Sequence, residues 1–438
     1  MSDTCAKSAC RVATEKHEVT MTRFKRDRSI PGLARAISVS SALLCLLCHP
    51  APLVAATNPL GPAAAELGPV AITPTVGVKI EHRDNIYLQE HDATDSWMYI
   101  VRPAVNALLQ DRENIYQLDY QAEAGWYQVN SNDDKNDYFD QTFSGDAHLE
   151  ITDRWIAEGY VSWASLHEER GTGLSEGLLG QAIPKPVRYD QADIGGSLQF
   201  GSLDGVGRLL LSAGYMDLEY RNFRNLTRTR DRDETSVGGT FFYPVAPKTD
   251  LLIEYTYKNI HYPNAFEDAP SLDSIENFLL AGATWEVTPS LFSTAKAGYM
   301  DKEFKNSQRK NWDGLGWSLE LWMQPREHDT ILVQSSRKPE ETTLEGNFVK
   351  REVFAATWTH DWTDRIYTEL AGLYGHDTYE QAINDRKDDI YSATVRAGYE
   401  FRRWANFYAS YSYDDKNSNI EDLSYTDNVF VIGVDLSL

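Results

Sequence analysis

His148 stands between Asp146 and Glu150 in the run Gly145-Asp-Ala-His-Leu-Glu150. An imidazole with a carboxylate two residues away on either side is a donor set for acid–base work or for a divalent cation, if all three side chains leave the backbone on one side. A β-strand does this, because its side chains alternate with period two. A strand that merely turns a polar face to water gives the same pattern, and the rest of the chain favours that reading. It holds no His-Glu-x-x-His pattern, phosphate-binding glycine loop or Gly-x-Ser-x-Gly elbow. The sequence therefore assigns no catalytic residue, no metal and no cofactor, and predicts a protein that is not an enzyme.

Charged side chains recur at alternate positions along most of the chain. Arg102, Asp119, Glu123, Asp146, His148, Glu150, Asp193, Glu254, Lys258, Lys296, Glu320, Arg326, Arg396 and Glu400 are the predicted lining of a water-filled interior. Glu158, Glu234, Glu276, Glu286, Glu369, Asp435, Arg208 and Lys350 fall on the same predicted face. Rings of charge filter ions and charged solutes. The excess of acids opposes a strongly anionic solute and suits a neutral or amino-bearing one. Tyr127, Trp322 and Tyr408 share this face and are the predicted surfaces on which a sugar ring could stack.

What positions these residues is clearest in residues 111–129. After the turn Asp111-Arg-Glu-Asn114, Tyr116, Leu118, Tyr120, Ala122, Ala124 and Trp126 alternate with Gln117, Asp119, Gln121, Glu123 and Tyr127. Soluble strands average about 5–6 residues. This alternation lasts for more than ten, as a tilted membrane strand requires. The stretch reads as one stave of a barrel, apolar outside and wet inside. The same pattern returns where Leu315, Trp317, Leu319 and Leu321 oppose Ser318 and Glu320. It returns again where Tyr391, Ala393, Val395 and Ala397 oppose Ser392, Thr394 and Arg396. Residues 208–220 and 366–375 alternate less cleanly, and bulges are the expected reason.

The chain has 438 residues, a formal net charge of -23 and 12% aromatic residues, with 24 Tyr and 11 Trp. The charge argues against a nucleic-acid surface, and the aromatics suit interfacial girdles. No run of about 18 apolar residues occurs, so no spanning helix is expected; a barrel needs none. Residues 1–56 read as a signal peptide: Arg23, Lys25, Arg26, Arg28 and Arg35 precede an apolar stretch at 36–48, then small residues before Thr57. Met21 could be the true start. Cys5, Cys10, Cys45 and Cys48 all lie there, so the mature chain has no thiol or disulfide. Residues 57–70 form a periplasmic lead-in and residues 71–438 the barrel.

Tight turns and longer polar connections take turns along the chain. That is the asymmetry of short periplasmic turns and long extracellular loops. The prediction is all-β: a single antiparallel transmembrane β-barrel of about 18 strands, with both termini on the periplasmic side. The end of the chain, with Phe430, Ile432, Val434, Leu436 and Leu438 on one face, looks like a barrel-assembly signal, although Leu438 replaces the usual terminal aromatic.

Three blocks resemble a known family. They are Ile72-Thr-Pro-Thr-Val-Gly-Val-Lys-Ile-Glu-His-Arg-Asp-Asn-Ile86, Trp317-Ser-Leu-Glu-Leu-Trp-Met-Gln-Pro-Arg326 with Ser336-Arg-Lys-Pro-Glu340, and Pro289-Ser-Leu291 before Ala297-Gly-Tyr299. Across residues 72–438 the chain is similar to the outer-membrane barrels of the β-barrel porin 2 type, which are associated with exopolysaccharide synthesis clusters. The resemblance implies a conduit for export of an exopolysaccharide across the Gram-negative outer membrane, working beside a periplasmic polysaccharide synthesis and export complex. Outer-membrane lipid and the barrel-assembly machinery are the other expected partners, and nucleic acid is not. The rival expectations are a porin for small solutes, a barrel-embedded polymer-modifying enzyme, and an adhesin or assembly scaffold.

Overall fold

The computed structural model describes residues 64–129, 135–177, 180, 183–202, 205–264, 269–288, 290–342 and 345–437. The predicted signal peptide and the first part of the lead-in lie outside them. One sheet holds nineteen strands. Among the described residues the short β1 (Ala65–Leu67) pairs with β2, and the other eighteen strands close a ring.

In chain order these are β2 (Val70–Arg83), β3 (Ser96–Asp111), β4 (Asn114–Tyr127), β5 (Tyr138–Thr152), β6 (Trp155–His167), β7 (Arg188–Phe200), β8 (Arg208–Tyr220), β9 (Arg232–Ala246) and β10 (Thr249–His261). Then come β11 (Ser274–Thr288), β12 (Leu291–Phe304), β13 (Trp312–Arg326), β14 (Asp329–Glu340), β15 (Phe348–Asp361), β16 (Ile366–Glu380), β17 (Lys387–Arg402), β18 (Ala405–Ser418) and β19 (Tyr425–Ser437). Each pairs antiparallel with its chain neighbours, and β19 closes on β2 from Val429↔Arg83 to Ser437↔Thr75. Closure leaves no open edge, so the strand amides of the wall pair with one another, as hydrocarbon demands.

The two faces separate as period two requires. Trp97, Tyr99, Tyr116, Leu118, Tyr120, Trp126, Ile194, Leu211, Ile253, Leu279, Val395 and Ile432 are exposed, and they share the outer face through the register. The opposite face is the interior, because residues of the long loops are buried against it. Leu174, Ile183 and Val187, between β6 and β7, pack on Ala164, Leu166, Tyr189, Leu218 and Tyr220.

This packing explains the irregular pattern read from the sequence at β8. β8 and β16 run in unbroken register with their neighbours, so bulges are not the cause. Leu218 on β8 faces inward because a folded-in loop gives it an apolar partner. Register shifts occur instead beside short turns, as at Glu150/Thr152, Trp285/Thr288 and Met323/Arg326.

Candidate functional site in the barrel lumen

The register places Arg102, Asp119, Glu123, Asp146, His148, Glu150, Asp193, Glu254, Lys258, Lys296, Glu320, Arg396 and Glu400 on the interior face of β3, β4, β5, β7, β10, β12, β13 and β17. Two sequence readings need correction. Arg326 ends β13 beyond a register shift and is exposed at the turn. Lys350 pairs with Pro339 and Thr378 on the outer face, while its neighbour Arg351 points inward to Asp377 and Glu340.

Among the interior residues the structure forms ion pairs. Lys296 Nζ donates to both Glu254 oxygens, at 2.6 and 2.7 Å. Lys258 meets Glu234, and Arg208 meets Asp250. On β5 the His148 Nδ1 lies 3.2 Å from Glu158 Oε1, and its Nε2 lies 3.9 Å from Glu150 Oε1.

One side of the lumen differs from the rest. Interior positions of β4 to β7 hold Asp119, Glu123, Asp140, Asp146, Glu150, Glu158 and Asp193, with His148 and no lysine or arginine.

Tyr127 and Tyr408, both proposed for sugar stacking, are buried. Tyr127 is buried with Ile86, Met98 and Ile100. Tyr408 is 8% exposed, its ring lies on Gly433, and the Arg396 guanidinium sits 4.1 Å from its centroid. Trp322 lies on the interior face of β13, in register with Phe292.

The outer mouth carries a device that the sequence did not show. Between β6 and β7 the described residues 168–177, 180 and 183–187 leave their own rim, and Glu176 reaches the wall at β17 and β18. β6 and β18 are six steps apart round the ring, through β5, β4, β3, β2 and β19. Glu168 anchors the start of the loop: it is buried, accepts the Tyr220 hydroxyl at 2.9 Å and pairs with Arg230 Nη2 at 2.6 Å. At Gly171 the chain passes the Tyr87 carbonyl at φ +80°, where any Cβ would strike that carbonyl, so only glycine fits.

Glu176 then meets Arg386 in a two-pronged contact, Nη2 to Oε1 at 2.7 Å and Nη1 to Oε2 at 3.0 Å, and Lys416 Nζ at 2.5 Å. Burial alone would raise this carboxyl, but Lys416 and Arg386 outweigh burial and bring it down to about 2. Glu341, just after β14, reaches the buried Lys302 of β12, which also holds Glu276 at 2.7 Å. Tyr262 donates to the same Glu341, and burial with that carboxylate pushes its phenol well above the ordinary range.

Lys302 and Lys416 were legible by parity with Lys296 and Tyr408 on their strands. Glu176, Arg386 and Glu341 lie in loops and left no periodic signal.

The family model described as "Putative beta-barrel porin 2" matches residues 58–438. No curated protein matches the chain. Among solved structures, OccK2 (OpdF) of Pseudomonas aeruginosa is similar at 11% identity and a TM-score of 0.45, covering 86% of this chain and 100% of its own. OpdK of Pseudomonas aeruginosa, solved with vanillate, gives 11%, 0.45, 84% and 99%. OccAB3 of Acinetobacter baumannii gives 11%, 0.44, 84% and 99%. Likenesses this distant carry no argument about what passes through the barrel.

Proposed function

The chain belongs to the beta-barrel porin 2 family of the Gram-negative outer membrane, and from that premise we propose that it is a diffusion channel for small polar solutes, with a narrowed outer mouth. The observation that carries this reading is the set of described residues between β6 and β7, buried against the inner face and fixed to the wall near β17 and β18 by Glu176, Arg386 and Lys416. A strap held by buried, multiply bonded charges would obstruct a stiff polymer more than a small molecule. The export of an exopolysaccharide, implied by the resemblance, gains no support from the geometry or the comparisons.

The lining suggests the sign of the preferred solute. The interior face of β4 to β7 is acidic and free of lysine and arginine. Fixed carboxylates concentrate cations along a water-filled wall. Inorganic cations and amino-bearing solutes are favoured over carboxylates and phosphates.

Planar-bilayer recording and liposome swelling test the proposal together. A salt gradient should give a reversal potential of the cation-selective sign, and swelling should fall steeply from disaccharides to longer maltodextrins. Silent bilayers, or swelling indifferent to solute size, would overturn it. Loss of a secreted polymer on gene deletion, with small-solute uptake intact, would restore the export reading.

A further inference from the structure

His148 is more than a polar residue facing water. It lies in register between Ile115 on β4 and Glu158 on β6, and its side chain is 4% exposed. Its Nδ1 is 3.2 Å from Glu158 Oε1, and the other oxygen of Glu158 accepts the Ser197 hydroxyl at 3.2 Å. An ionised carboxylate only accepts, so Nδ1 carries a proton, and in the neutral ring Nε2 then presents its lone pair. That Nε2 is buried and has no hydrogen-bond partner. Leaving a buried polar atom unmet forfeits its hydration without return, so such an atom calls for a reason. Glu150 Oε1 lies 3.9 Å from it, too far for a hydrogen bond.

We propose that His148 Nε2 and the Glu150 carboxylate form a labile binding site for a divalent transition-metal ion, copper(II) foremost, on the lumen wall of β5. Metal–nitrogen and metal–oxygen bonds of about 2.0–2.2 Å span the gap between these atoms with little movement. The Glu150 side chain is 27% exposed, which leaves it free to adjust and opens the site to the lumen. Glu158 supplies what a metal-bound imidazole needs behind it: a carboxylate on the other ring nitrogen that fixes tautomer and ring plane. Water completes the coordination, and two protein ligands make an ion easy to release. Imidazole with carboxylate favours copper(II) over nickel and zinc.

A rival group, Glu90, His91 and Asp422, lies at the outer mouth, with both residues of the first loop exposed. No buried unmet atom points into it, and Glu90 Oε2 already accepts the Asp422 amide at 3.0 Å. The experiment must separate the two sites.

Purified protein in detergent micelles is titrated with copper(II) and followed by electron paramagnetic resonance. The expected spectrum shows nitrogen coupling from a single imidazole. It should vanish in His148→Ala and persist in His91→Ala. Glu158→Gln keeps both ligands but loses the orienting carboxylate, and should weaken binding about 10–100-fold. Glu150→Gln, at a half-open position, guards against a folding defect in the histidine variant and should also weaken binding. No imidazole-coupled copper in the native protein, or loss of the signal in His91→Ala alone, would overturn the proposal. Binding is read without conduction, so a silent channel that binds copper would refute only the functional reading above.

Discussion

Replacing Glu176 with Gln should release the strap across the outer mouth. The carboxyl titrates near 2 instead of its ordinary 4.5. At about 1.36 kcal/mol per unit, the folded state gains roughly 3 kcal/mol from its charged form. The side chain is 14% exposed, so solvent screening removes little of this. Arg386 keeps a second partner in Asp388, with Nη2 to Oδ2 at 2.6 Å, but Lys416, 5% exposed, loses its carboxylate and keeps the Tyr425 ring at 5.0 Å, so the loss is at least this large. Because the folded carboxyl is depressed, its contribution is complete above about pH 4.5 and is lost as pH falls through about 2.

Single-channel recording reads the consequence. The open population of Glu176→Gln should exceed that of the native protein by about a hundredfold in equilibrium constant at pH 7 and at pH 5 alike, since about 1.4 kcal/mol is tenfold. The difference should shrink only toward pH 2. Identical conductance and gating in the two proteins would refute the latch. So would a difference that disappears between pH 7 and pH 5, because no titration of Glu176 lies in that window.

Three further substitutions probe the wall. Lys302→Met leaves Glu276 and Glu341 without their shared cation in a fully buried position, and should cost about 3–5 kcal/mol in urea unfolding from micelles. Gly398→Ala places a methyl group into the Tyr367 ring and should cost about 1–3 kcal/mol, seen as a smaller folded fraction on unheated gels; the added change Tyr367→Ala should restore much of the loss. Tyr408→Ala should leave sugar-induced current block unchanged, since the ring is covered, while lowering the urea midpoint by an amount worth about 3 kcal/mol.

The wall was legible because hydrocarbon and water impose a strict period of two. Tyr116 to Trp126 and Tyr391 to Ala397 show it without interruption, and the register reproduces it. Legibility ended where a third environment intrudes. Leu218 and Tyr220 face inward because a loop from the β6 rim lies on them, and no period within β8 contains that fact. Lys350 and Arg351 exchanged places for a related reason. Val349 and Val353 resemble lipid-facing residues, yet they share the inner face with Arg351, and Phe354 marks the outer one. The latch was least visible of all: Glu176 and Lys416 are 240 positions apart, and the pairing depends on ring closure bringing β18 within reach.

Charge serves this barrel in two ways that a net value of -23 does not reveal. At the outer mouth acids and bases are buried together: Glu168 with Arg230, Glu176 with Arg386 and Lys416, and Glu276 and Glu341 with Lys302. Removed from solvent, such pairs feel dissolved salt weakly, so they hold loops in place across a wide range of ionic strength. Further round the wall, Lys258, Lys296 and Arg208 neutralise Glu234, Glu254 and Asp250, which takes those carboxylates out of the long-range field. Interior acids stand elsewhere too, Glu320 and Glu400 among them, but β4 to β7 form a sector whose described inward positions hold no lysine or arginine. That sector is partly open to water, so its attraction for cations should weaken as salt rises, while the loops stay fastened. A channel built this way separates the charges that set its shape from the charges that choose its traffic.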